Sequence, residues 1–139
     1  MNFDTLKTEL ADVKYDAMSD QEAADSLNDV SISAYQRVDY ADVASYLMVV
    51  DKYLAIKTST KASAKKFMLA MDTFQTFNLD LPLVATTVTT ILDALIADVL
   101  IDDTDKAVIL SLADTTISRA TEIGIGKVKA GHIIDARTL

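Results

Sequence analysis

The chain of 139 residues is 50% hydrophobic and 24% charged, with three Gly, one Pro, one His and neither Cys nor Trp. A chain of this length buries roughly two-thirds of the surface its unfolded form exposes, so it can hold a core without disulfides or a structural metal, and collagen-like, disulfide-framework and disordered classes are excluded. Twenty-one acidic against thirteen basic residues give a formal charge of -8, which disfavours sequence-independent binding to nucleic acid or to an anionic membrane surface.

Phe3, Leu6, Leu10 and Val13 recur with helical spacing behind Asp4, predicting a short helix over 3–13. Ser19-Asp20-Gln21-Glu22 has the S-x-x-E form, in which the serine oxygen accepts a free backbone N–H and the glutamate answers another. It opens a second helix over about 20–28, with Ala23, Ala24 and Leu27 inward. From Val30 to Val38 the chain alternates, placing Val30, Ile32 and Ala34 on one side and serines on the other, which reads as extended. No second strand stands out. The segment is therefore expected either as a loop laid across the helices or as a strand that pairs with another chain.

Asp39 can cap a helix that carries Val43, Leu47, Val50 and Leu54 on one face, and Lys57-Thr58-Ser59-Thr60 closes that helix. The next helix carries Ala64, Phe67, Met68, Met71 and Phe74 on one stripe, read as core, with Lys61, Lys65 and Lys66 off it on a solvated face. Asn78 to Pro82 is a boundary, because the residue before Pro avoids helical angles and Pro suits a first helical turn. Beyond it Val84, Val88, Ile91, Leu92, Leu95, Ile96 and Val99 keep the cleanest helical period, opposite Thr86, Thr87, Thr89, Thr90 and Asp93. The run Leu83 to Ile101 approaches the length of a membrane span, but Asp93, Asp98 and the threonines favour a soluble core helix.

Asp102 to Asp105 caps a sixth helix that is apolar almost all round over Ala107 to Ala113, and Gly124 and Gly126 stop it. A last helix over about 130–137 returns Ile133 and Ile134 to the core. The pattern holds no repeat, low-complexity tract or linker. It predicts an all-α fold, a compact single-domain bundle of six or seven helices over 1–139 with one extended segment near 30–38.

Chemistry is sparse in this pattern. A zinc site needs several imidazole or thiolate ligands, and the chain has His132 alone. Asp98, Asp102, Asp103 and Asp105 lie between two helices as calcium-loop carboxylates do, but Leu100 and Ala107 fall where that loop needs ligands, so capping is expected. Gly124-Ile125-Gly126-Lys127 resembles part of a phosphate loop, yet Thr121 stands where that loop requires glycine. His132 and Asp135 are three apart and can share a hydrogen bond, without a nucleophile to serve. No catalytic, cofactor-binding or metal residue is expected.

Residues 1–30 carry eight acids and two bases, whereas residues 115–139 carry two acids and four bases. Such a gradient serves solubility or lets copies stack head to tail. Tyr15 to Asp20, Ala23-Ala24, Ser26-Leu27-Asn28, Leu92-Asp93-Ala94-Leu95, Ile117 to Gly124 and the ending Val128 to Arg137, with Gly131-His132-Ile133, resemble small proteins of unassigned role encoded by tailed bacteriophages. The resemblance covers both ends and leaves residues 30–80 unsupported. It implies a minor virion component at the head, neck or tail, and it offers no catalytic residue to carry over.

The function expected from these readings is that of a non-enzymatic phage structural or assembly protein, acting through contacts with other virion proteins or with copies of itself. No cofactor, nucleic acid or membrane partner is expected, and the start Met1-Asn2-Phe3-Asp4 reads as no signal peptide. The protein is then expected in the particle after synthesis in the host cytoplasm. Its contact residues are expected to be Ile32, Tyr35 and Val38 in the extended segment and Lys127, Lys129 and Arg137 in the basic tail. The alternative, from a different class, is a host-directed inhibitor whose acidic front mimics nucleic acid.

Overall fold

The computed structural model describes residues 1–139, and its elements run in the following order. They are α1 (Phe3–Leu10), a 3-10 turn (Val13–Tyr15), α2 (Asp20–Asn28), β1 (Val30–Tyr35), β2 (Val38–Asp39), α3 (Tyr40–Val49) and α4 (Tyr53–Thr58). Then come α5 (Ala62–Thr73), β3 (Thr76–Phe77), α6 (Pro82–Ala97), α7 (Asp103–Ser111), β4 (Asp114–Ser118), α8 (Arg119–Glu122) and α9 (Ala130–Thr138). The chain divides into two compact units, one made of Met1–Ala34 with Thr116–Leu139 and the other of Tyr35–Thr115.

In the first unit each early element starts on a side-chain cap. Asn2 Oδ1 accepts the Thr5 N–H at 3.1 Å, Asp12 Oδ1 accepts that of Lys14 at 3.0 Å, and Ser19 Oγ accepts that of Glu22 at 3.1 Å. α1 and α2 both pack on α9, and α2 also packs on α8. Leu6, Tyr15, Leu27, Val128, Ile133 and Ala136 form the buried cluster there. Asn28 joins its two chain segments: the side-chain amide donates to the Val128 carbonyl at 2.6 Å and its oxygen accepts the Val128 N–H at 2.8 Å. Such paired bonds to one residue's backbone fix the register of α2 against the approach to α9.

The second unit is one continuous stretch of chain. β2 pairs antiparallel with β3, with Val38 opposite Phe77 and Asp39 opposite Thr76. Val38, Val43, Leu47, Ile56, Phe67, Phe77, Leu92, Leu95 and Ile109 are its buried heart. α6 begins at Pro82, as the boundary predicts, and α7 opens on a complete capping box in which Asp102 and Asp105 each accept the other's backbone N–H, at 2.8 and 3.0 Å.

The fold is mostly helical, and the all-α expectation is corrected by four short strands in two small sheets. The extended segment, for which the sequence offers no partner within the chain, in fact has one: β1 pairs with β4. The expected sixth helix stops at Ser111, because the β-branched run Thr115-Thr116-Ile117 favours extended backbone, and its half-buried Thr115 and Ile117 alternate with exposed Asp114 and Thr116. The helix expected to run through Leu54 breaks at Asp51, whose φ of 60° ends α3, so Leu54 moves to α4 and is exposed. Phe74, Val99 and Ile134, all expected inward, are exposed as well. No helix is long and apolar enough to cross a membrane.

Candidate functional site

α5 and α6 pack against each other, and the chain between them turns through β3 and the Asn78–Leu81 link. Asn78 Oδ1 accepts the Asp80 N–H at 3.0 Å, and the Leu81 N–H reaches the Asn78 carbonyl at 3.3 Å, so the link is a tight turn that delivers Pro82 to the helix start. This geometry leaves Phe74 beyond the end of α5 and Leu81 and Leu83 around the start of α6, with their side chains turned to solvent.

Two adjoining hollows result. One, of about 440 Å³, is walled by Arg37, Tyr40, Phe77, Leu83 and Val84. The other, of about 470 Å³, lies along α5 and α6 between Lys66, Leu69, Thr73, Thr86, Thr90 and Ala94. They share Ala70, Phe74, Thr87 and Ile91, so they form one continuous groove. Leu69, Phe74, Leu81 and Leu83 stand at its edges, each more than half exposed, and Leu83 is 81% exposed. Exposed apolar side chains are thus gathered around one groove. The Tyr40 ring tilts against Phe77 at 5.1 Å, and burial raises its phenol pKa above the ordinary tyrosine value.

The charged clusters elsewhere are self-contained. In the first unit Arg119 donates twice to Glu9, at 3.0 and 2.7 Å, and the Tyr15 hydroxyl donates to the same carboxylate at 2.8 Å. The Arg119 bonds outweigh burial and hold Glu9 at about 2. Burial and the bond to Glu9 raise Tyr15 in turn. In the second unit Asp105 accepts from Lys52, from the Tyr46 hydroxyl at 2.7 Å and from the Asp102 N–H at 3.0 Å. Burial alone pushes Asp105 up, but these donors overcome it and hold the carboxyl at about 2. No buried side-chain nitrogen or oxygen lacks a hydrogen-bond partner, so these groups satisfy one another's hydrogen bonding.

The aspartates between α6 and α7 are engaged in the same way. Asp98 accepts from Ser63 Oγ at 2.5 Å, while Asp102 and Asp105 cap α7. His132 Nδ1 accepts the Lys129 N–H at 3.1 Å and so caps α9, instead of meeting Asp135. Gly124 and Gly126 both have positive φ, 77° and 69°, and close α8 as a helix stop.

The six residues expected to make contacts are scattered. Ile32 is half-buried and Tyr35 exposed on β1, whereas Val38 is 2% exposed and belongs to the core. Lys127 and Lys129 are exposed, and Arg137 is occupied by Asp20 Oδ1 at 2.6 Å and by the Tyr15 and Met18 carbonyls at 3.0 and 3.2 Å. The groove escapes a reading of the sequence because Phe74 extends the Phe67 stripe. The readable signal is Leu81 and Leu83 flanking Pro82, two large apolar side chains at a turn where a soluble chain ordinarily places polar ones. No family model, curated protein or solved structure matches the chain.

Proposed function

We propose that the chain is a non-enzymatic structural or assembly protein of a tailed bacteriophage, built into the particle through contacts with other virion proteins or with copies of itself. The observation that supports this reading best is the open apolar groove between α5 and α6, with Leu69, Phe74, Leu81 and Leu83 exposed beside it. Covering such a surface removes apolar area from water, a gain of roughly 25 cal/mol per Å². The resemblance of both chain ends to small phage proteins gives the setting. Made in the host cytoplasm, the protein then has its place at the head, neck or tail.

Mass spectrometry of salt-washed, gradient-purified particles, with copy number set against the major capsid protein, tests the proposal. Stoichiometric presence is the expected result. Abundant protein in infected cells but none in particles overturns it and turns attention to a host target, which a mimic of nucleic acid would bind with strong salt dependence.

A further inference from the structure

Resting on the reading that the chain acts through protein contacts, we infer that the α5–α6 groove receives an amphipathic helix of a different protein, one whose apolar stripe is flanked by carboxylates. Three observations carry this. The first is length: from Val84 to Ala94 the α6 wall extends roughly 15 Å at 1.5 Å per residue, about three helical turns. A partner helix laid along it places anchors at spacings of three and four residues, the usual way a helix fills such a groove.

The second is charge. In a chain of net charge -8, the only charged side chains lining the groove are Arg37 and Lys66. Neither has an ion-pair partner within its unit, and Asp39, Asp72 and Asp80 are near in sequence but do not line the walls. Two unpaired cations beside an apolar floor select carboxylates on the incoming helix and repel lysines.

The third excludes a second copy as the occupant. Two grooves set face to face would bring Arg37 and Lys66 of both copies to one seam with no lining carboxylate to answer them. The apolar faces of α1, α2 and α9 are already buried, through Leu6 on α1, Ala23, Ala24 and Leu27 on α2, and Ile133 and Ala136 on α9.

The test uses two labelled helical peptides of about 18 residues, long enough to hold a helix. Both carry leucine at alternating three- and four-residue spacing; one has glutamate at the flanking positions and the other lysine. Fluorescence anisotropy with the full chain should show the glutamate peptide binding at least about tenfold tighter than the lysine peptide, a gap that narrows with salt. Leu83→Asp, at an exposed position, should weaken the glutamate peptide about tenfold or more with an unchanged thermal transition, and Arg37→Glu with Lys66→Glu should reverse the preference.

Equal binding of both peptides, no binding of either, or indifference to Leu83→Asp overturns the inference. So does concentration-dependent dimerisation of the wild type that Leu83→Asp abolishes, which would make a second copy the occupant. Perturbation of Tyr40 by dodecanoate with none by the peptide would make the site one for lipid-like anions. Failure here is separable from failure of the phage reading. A chain present in particles but blind to the peptides loses the groove assignment alone, and a chain absent from particles that still discriminates between them keeps it.

Discussion

Val99 is a β-branched residue held at a φ of 59° just beyond α6, and it is 88% exposed. Its N–H bonds to the Ile96 carbonyl and that of Leu100 to the Leu95 carbonyl, both at 2.9 Å, which is the pair of bonds that closes a helix on a left-handed residue. Asp51 after α3 and Gly124 after α8 occupy the same position in the same motif. Glycine adopts that conformation freely and aspartate tolerates it, but a branched Cβ crowds the backbone. Because the Val99 side chain is almost wholly exposed, little packing offsets the strain. Val99→Gly should therefore raise stability by about 1 kcal/mol, read as a higher urea midpoint at unchanged m-value, while Asp51→Gly should change it far less. Equal or lower stability for Val99→Gly would show that the side chain has packing worth more than the strain. The residue scale also shows why some stops were legible and others not: Gly124 announces a left-handed position by its identity, whereas Val99 continues the apolar period of α6 and conceals one.

At the scale of the element, α7 has a start that the sequence reveals and an end that it hides. Asp102 and Asp105 have the spacing of a reciprocal cap, and the structure adds Lys52 and Tyr46 as further donors to Asp105 from α3 and its C-terminal link. Those two donors lie far from Asp105 in the chain, so no local pattern announces them. Asp105→Asn keeps one acceptor oxygen but loses the charge and leaves the cluster partly unmatched, which should cost about 2 kcal/mol near neutral pH. The pH dependence follows from the depressed carboxyl. Its stabilisation is complete above the unfolded value of 3.8 and is lost as pH falls through the folded value of about 2, where protonation removes the acceptor. Denaturation of the wild type and the Asp105→Asn variant at a series of pH values should show a constant difference down to about pH 4 and a narrowing one toward pH 2. A difference that persists unchanged in acid would mean that the substitution acts through something other than the lost carboxylate charge. The end of α7 is hidden because Leu110, Leu112 and Ala113 continue an apolar helical surface right up to β4. Only the β-branched run and its period of two mark the change, and β1, the other alternating stretch, is the strand with which it pairs.

The division of the whole chain into units has a consequence that no window of sequence discloses. The second unit, Tyr35–Thr115, is continuous, has its own buried cluster and brings its ends together: the Gln36 N–H reaches the Ala113 carbonyl at 2.7 Å and its side-chain amide the Leu112 carbonyl at 3.1 Å. The first unit is assembled from both termini, with α1 and α2 packed on α8 and α9 and with Glu9 bonded to Arg119 across 110 positions. Hydrophobic periodicity located most of these helices, since Leu6, Leu27, Leu47, Phe67, Leu92 and Ile133 are buried where their spacing places them. It carries no information about which helix meets which, because the period describes a face and not the surface that covers it. The same gap concealed the groove, whose walls belong to two helices and whose floor is made only when they pack. Local contacts close early and at little entropic cost, whereas joining the termini requires closing a long loop. A fragment of residues 35–115 should therefore retain helical circular dichroism and a cooperative thermal transition. A fragment of residues 1–34 should be largely unfolded until residues 116–139 are supplied, because α1 and α2 would otherwise expose the faces they bury against α8 and α9. A broad, non-cooperative melt of the 35–115 fragment would show that its cluster is too small to stand alone. Cooperative folding there, together with recovery of helix on mixing the two terminal peptides, would establish that the middle of the chain folds as a unit and that the termini complete a second one.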